Sequence, residues 1–301
     1  DPSYAALGTQ ERFNAQHAAC QEAIQRLAST IENANVDVVV IISDDQDELF
    51  FEDNMPTFAV YWGDSIPIYK RRPPESAPLP IREAAWGYGD DMDVRVNPAL
   101  GWHLIQSLND AEFDIAHFRY LREVYGGENT RYYPREDGEA PPTRTTDPRR
   151  MGLPHGFAFV IKRIFENKDI PIVPVFQNTC YPPNQPTPGR CYDLGVELAR
   201  AIRSWECDAR VAVIASGGLS HFTVDEELDR MLLDGLARSD RDSLRSIPRN
   251  RLHSAASETL NWVTLGGAMS ESDLGYELVD YVPVYRTAAG TGGGWAFTRW
   301  T

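Results

Sequence analysis

The chain has 301 residues, with 44 acidic against 29 basic side chains and a formal charge of −15. So large an acidic excess excludes a general polyphosphate binder, because phosphate contacts need clustered Lys and Arg. Hydrophobic residues at 42% and charged residues at 24% describe a globular rather than a disordered chain, and no apolar run approaches the ~20 residues of a membrane span.

Gln10 to Asn33 carries Phe13, Cys20, Ile24, Leu27 and Ile31 at helical spacing, which predicts a long amphipathic helix. His17 follows Phe13 by one turn on that stripe, so a core role is expected for it. Val36 to Ile42 is a β-branched run of the kind found in buried central strands of parallel sheets. It ends in the polar loop Ser43 to Glu48, and ligands in open α/β sheets sit at such carboxyl ends. Short strands are expected at Phe58 to Trp62 and Pro67 to Lys70, a proline loop over residues 71–80 and a helix at Pro98 to Asn109. Residues 126–150, rich in Gly, Pro, Arg and Asp, predict a long surface excursion.

Next come a helix at Gly156 to Asn167, a strand at Ile170 to Phe176 and a proline loop at Tyr181 to Gly189. A helix at Cys191 to Trp205 and a strand at Arg210 to Ala215 lead to the loop Ser216 to His221, again at a strand end. Helices are expected at Val224 to Ala237 and Ala256 to Leu265, and the Gly-rich tail Tyr276 to Thr301 reads as strand. Alternating strands and helices define an α/β class with a central, mostly parallel sheet flanked by helices. No repeat or clean linker divides the chain, so residues 1–301 are expected to form a single domain.

Cys20, Cys180, Cys191 and Cys207 form no C-x-x-C pair, which argues against a zinc ribbon and for semi-buried thiols in a reducing cytoplasm. No basic-then-apolar leader opens the residues. They begin Asp1-Pro2-Ser3 without Met, through processing or because the numbering starts inside a longer product.

Four places could carry chemistry: Asp44/Asp45/Gln46, His155, Ser220/His221 and Glu258. Histidines and carboxylates at strand ends suit a general base or a hard-metal site. Asp44 and Asp45 stand at the strand end itself, whereas Asp47, Glu48, Glu52 and Asp53 read as a solvated rim. His103, His117 and His253 lack polar companions at a strand end and read as structural or surface residues. Gly290-Thr291-Gly292-Gly293-Gly294 is no phosphate loop, since no helix follows it; a flexible tail or close backbone packing accounts for it. Ser216 and Ser220 do not complete G-x-S-x-G.

Several stretches, in order over roughly residues 36–270, resemble the class III (LigB-type) extradiol ring-cleavage dioxygenases. They are Val38 to Phe51, Met55-Pro56-Thr57-Phe58-Ala59, Pro154-His155-Gly156-Phe157, Ile172 to Phe176 and Asn178 to Pro186. Arg190 to Gly195, Ser216-Gly217-Gly218-Leu219-Ser220-His221, Glu258 to Trp262 and Gly266-Gly267-Ala268 continue the match. That superfamily includes protocatechuate 4,5-dioxygenase catalytic subunits, gallate dioxygenases and 3-O-methylgallate dioxygenases. The resemblance implies a LigB-like domain holding Fe(II) by two His and one Glu, with a catecholic aromatic and O₂ as substrates.

It places the Glu ligand at Glu258, an acid/base at His221, and a contact to substrate or bound oxygen at His155. Gln46 stands where the second ligand His follows an Asp and is the expected metal ligand there, with Asp45 or Asp47 as substitutes, and the first ligand His would precede residue 1. The Asp44-Asp45-Gln46 loop resembles the 3-O-methylgallate branch. Asp45, Asn178 and Arg190 are the expected substrate contacts, Arg190 because a guanidinium pairs with a carboxylate in bidentate fashion.

Three readings stand side by side. The first is a ring-cleaving dioxygenase for a catecholic aromatic, carboxylated or not. The second is a hydrolase or lyase of the same fold, using His155, His221 and Asp45 with altered or no metal. The third is a non-catalytic subunit or binding protein that keeps the fold and has lost the site. The resemblance also implies a homodimer or a small LigA-like helical partner, and the charge favours neither nucleic acid nor anionic lipid.

Overall fold

The computed structural model describes residues 4, 6–46, 48–51, 54–69, 91–121, 152–166 and 168–301. The expected proline loop at 71–80, the excursion at 126–150 and the ends at Lys70 and Asn167 lie outside them, as do the rim residues Asp47, Glu52 and Asp53.

Thr9 caps α1 (Gln10–Ala34) by accepting the Arg12 N–H, and Asn35 closes it in the left-handed conformation. The strand β1 (Val38–Ser43) follows, buried along its whole length. It lies second from the edge of a five-stranded sheet in the order β5-β2-β6-β1-β7. Its partners are β6 (Ile172–Gln177) and β7 (Val211–Ala215), both parallel. β2 (Phe58–Tyr61) runs antiparallel to β6 and parallel to β5 (Ala116–Phe118). The α/β class with a mostly parallel sheet is therefore the observed one.

The period-2 alternation of a strand splits β1 between two cores. Val39 and Ile41 face Phe157, Val160 and Ile161 of α3 (His155–Ile164), together with the hairpin β3 (Ser65–Ile68) and β4 (Met92–Arg95). Val38, Val40 and Ile42 face α2 (Pro98–Asp110) and α4 (Pro188–Ser204). A third cluster joins α4 to α5 (Glu226–Ala237), α6 (Arg241–Arg245) and α7 (Thr259–Met269). A second, antiparallel sheet sets β10 (Thr291–Trp300) between β8 (His221–Thr223) and β9 (Tyr276–Tyr285).

α4 and α7 cross closely. An added Cβ at Gly195 would stand 1.8 Å from the Thr264 carbonyl oxygen, and one at Gly267 would stand 2.0 Å from that of Tyr192. The tail glycines do pack against backbone: a Cβ at Gly292 would stand 1.7 Å from the Val284 carbonyl oxygen.

His17 is exposed, not core. The inward face of α1 runs through Phe13, Gln16, Cys20, Ala23 and Leu27, and Gln16 donates to the Pro283 carbonyl. One turn on from Phe13, the helix has rotated His17 off that face. Cys207 is likewise exposed, while Cys191 is buried and all four cysteines are free thiols. Among the described residues no helix is long and apolar enough to cross a membrane.

Candidate active site

The carboxyl ends of β1, β6 and β7 converge with the starts of α3 and α7. Asp45 shapes the loop after β1. Its carboxylate accepts the backbone N–H groups of Glu48 (3.2 Å), Leu49 (2.8 Å) and Phe50 (3.0 Å). An aspartate that receives its own downstream amides turns the chain back on itself. Asp45, expected to meet substrate, thus has its carboxylate engaged in building the loop.

The turn carries Glu48 inward. Its side chain is only 10% exposed, which corrects the expectation of a solvated rim residue. Glu48 accepts the backbone N–H of His155 at 3.2 Å and pairs with the ring at Nδ1. His155 opens α3 after Pro154. Its neighbour Gly156 lies so close to the end of β1 that a Cβ would stand 2.2 Å from Ser43 Oγ. Ser216 Oγ, just past β7, donates to the Gly156 carbonyl at 2.6 Å. The helix start is therefore tied to two strand ends.

Beside this pair runs a second line of polar groups. Glu258 ends a 3₁₀ turn (Ser254–Glu258) and stands at the N-cap of α7. One carboxylate oxygen accepts the Gly218 N–H at 2.6 Å; the other accepts Gln46 Nε2 at 2.7 Å and lies 3.3 Å from His221 Nε2. Gln46 Nε2 also donates to Asp44 at 3.1 Å. Asn261, one turn beyond Glu258, donates to Asp44 at 3.2 Å and to the Ser216 carbonyl at 2.9 Å. Gln177 donates to Asn261, and Thr264 donates to Gln177.

Burial first, and then the Glu258 charge, push the Asp44 carboxyl up to about 6. For His221, burial works against the charged ring. The Glu258 carboxylate, the Leu219 carbonyl and Asp44 outweigh it, so the ring titrates above its ordinary value. His221 Nδ1 lies 2.8 Å from the Leu219 carbonyl, so it carries the proton there and Nε2 faces Glu258.

Ser220, beside His221, is held by Asp229 of α5. That buried carboxylate accepts the Ser220 N–H (2.8 Å), the Ser220 hydroxyl (2.9 Å) and the Tyr281 hydroxyl (2.7 Å).

The structure thus brings together Gln46, His221 and Glu258, and sets His155 on Glu48 at the same strand ends. Asn178 and Arg190 are engaged elsewhere. Asn178 donates to the Tyr181 carbonyl and the Asn184 side chain and accepts the Tyr181 N–H, which ties it to the proline loop that follows. Arg190 is exposed, its guanidinium 4.8 Å from the Phe113 ring centre and 5.8 Å from that of Phe58. Sequence reasoning missed Glu48 and Asp229, which nothing local distinguishes from surface charges. Asn261 carried a signal, its one-turn spacing from Glu258.

The described residues do not fit a two-His, one-Glu iron centre. Of that ligand set they present Glu258, and at the position of the second His, Gln46 turns an amide nitrogen toward it. An amide nitrogen donates hydrogen bonds and offers a metal no lone pair. No cluster of three His, Cys, Asp or Glu side chains among the described residues is arranged to hold a metal ion.

Two histidines each face a carboxylate at the strand ends of a mostly parallel sheet, an arrangement suited to acid–base chemistry. The chain belongs to the LigB family, the catalytic LigB subunit of aromatic ring-opening dioxygenase, which it matches over residues 5–294. It is similar to a gallate dioxygenase of Pseudomonas putida, 32% identical over 126 residues. That match spans 41% of this chain and 28% of the relative's length.

Proposed function

We propose that the chain opens the ring of a catecholic aromatic with O₂, as an extradiol-type enzyme. The observation that carries this is the pairing of His221 with Glu258 beside His155 with Glu48, at the strand ends of a LigB-family chain. In this reading the Glu258–His221 pair takes the proton of a phenolic hydroxyl, and the proton rests on His221 Nε2, where the carboxylate stabilises the charged ring. Glu48 takes the proton of His155 Nδ1 as its hydrogen bond and fixes the ring, which leaves the lone pair on Nε2 to face substrate as an acceptor. The described residues supply one member, Glu258, of the ligand set that Fe(II) has in the resembling enzymes, so no step here is routed through the metal. The proposal takes residues 1–301 as one domain working in a reducing cytoplasm, as a homodimer or with a small helical subunit.

Oxygen uptake tests this, using full-length protein purified without air and offered Fe(II), then protocatechuate, gallate or 3-O-methylgallate. The expected result is O₂ consumed in step with a new near-ultraviolet absorbance from the opened ring. No uptake with any of the three overturns the proposal.

The donation from Gln46 to both Asp44 and Glu258 favours a second reading, a hydrolase or lyase of the same fold that works by acid and base alone. Turnover of a catechol-derived ester or keto acid without O₂ uptake would establish it instead.

A further inference from the structure

Gly293 of β10 stands directly opposite His221 of β8 in an antiparallel pairing. Opposed residues on such strands share a face, and so do residues two apart on one strand. His221, Gly293 and Trp295 therefore lie on one face of the second sheet. An added Cβ at Gly293 would stand 3.3 Å from His221 Cβ and 3.6 Å from Trp295 Nε1. The bare Gly293 backbone thus lies beside the His221 Cβ on one side and the N–H edge of the indole on the other.

Trp295 is 52% exposed, although Gly292, Gly293 and Gly294 beside it are buried. Among the described residues no acceptor pairs with its Nε1. A half-exposed indole on the same sheet face as His221 presents both an apolar face and a donor. A substituted aromatic ring can use both at once.

We propose that Trp295 forms the outer wall of the substrate site. Its ring packs on the substrate ring held against His221, and its N–H donates to a carboxylate oxygen on that ring. This rests on the reading of the site as one for a catecholic aromatic. No hydrogen bond joins Trp295 to Gln46, Glu258 or Asp44 among the described residues, and it takes no part in proton transfer.

Calorimetric titration under argon with protocatechuate and with catechol tests it, on wild type, Trp295→Phe and Trp295→Ala. Trp295→Phe keeps the ring and removes the donor, so protocatechuate binding is expected to weaken about tenfold while catechol binding stays within about twofold. Trp295→Ala is expected to weaken both. In turnover KM rises with kcat unchanged within about twofold, which a general loss of folding would not produce. Protocatechuate binding to Trp295→Phe and Trp295→Ala equal to wild type overturns the wall alone. Failure of wild type to bind either compound overturns the reading of the site, and the wall with it. If Trp295→Ala does not fold, Trp295→Phe decides.

Discussion

Glu48 holds His155 from two directions, accepting the backbone N–H that begins α3 and meeting the ring at Nδ1. One carboxylate thereby sets both the start of the helix and the orientation of the imidazole. Replacing Glu48 with Gln keeps the shape and removes the charge. Turnover is expected to fall about 10- to 100-fold with little change in KM. Steady-state kinetics on the best aromatic substrate measures it, and an unchanged kcat would remove His155 from the proton path.

Gln46 joins Asp44 and Glu258 through its amide nitrogen. Gln46→Glu would set a third carboxylate between two buried ones. A loss of about 1–3 kcal/mol is expected at neutral pH. The new carboxyl would have a folded pKa above its unfolded one, so the deficit closes as pH falls. Urea unfolding at several pH values reads this directly.

Asp229 gathers three donors in a buried place. Burial is the largest influence on it and pushes its carboxyl above the ordinary range, despite the hydrogen bonds from Tyr281 and Ser220. Asp229→Ala leaves those donors unpaired and is expected to cost about 2–4 kcal/mol. It also loosens the loop that presents His221, so activity should fall further than stability in the folded fraction. Equilibrium unfolding with kinetics below the transition separates the two effects.

Arg251 pairs with Asp225, the N-cap of α5. Burial, the largest influence, pushes the Asp225 carboxyl up, but Arg251 and the Leu228 and Glu227 N–H groups outweigh it and hold it below the ordinary 3.8. A depressed carboxyl adds stability above its unfolded pKa and loses it as pH falls through the folded one. Arg251→Met is expected to cost no more than about 1 kcal/mol, since the pair is partly solvated. The gap to wild type should close in acid, and unfolding midpoints across pH would show whether it does.

Gly195→Ala drives a methyl into the Thr264 carbonyl where α4 crosses α7. Overpacking against backbone has no flexible group to yield, so a loss of about 3 kcal/mol or more is expected. Because Glu258 stands at the N-cap position of α7, residual folded protein should also lose activity. Thermal unfolding of Gly195→Ala beside the exposed-site control His17→Ala tests the placement of the two positions.

Much of the frame was legible before any coordinates. The run Val38 to Ile42 announced a strand buried on both faces, since no alternation breaks it. The loops ending β1 and β7 and the motifs around His155, His221 and Glu258 pointed to groups that the fold gathers at one end of the sheet. His17 was misplaced because a stripe inferred from apolar residues alone omitted Gln16, which faces inward through its hydrogen bond to the Pro283 carbonyl.

Local pattern decided the elements, because burial on one face or two leaves a period in the residues that form it. The partners of each charge were decided only by the tertiary structure. Gln46 and Glu258 are 212 positions apart, and Glu48 and His155 are 107 apart. Whether a carboxylate stands in water or against a ring depends on the path of the loop between them. Asp45 sets that path by gathering three backbone amides, and residue type alone does not reveal that geometry.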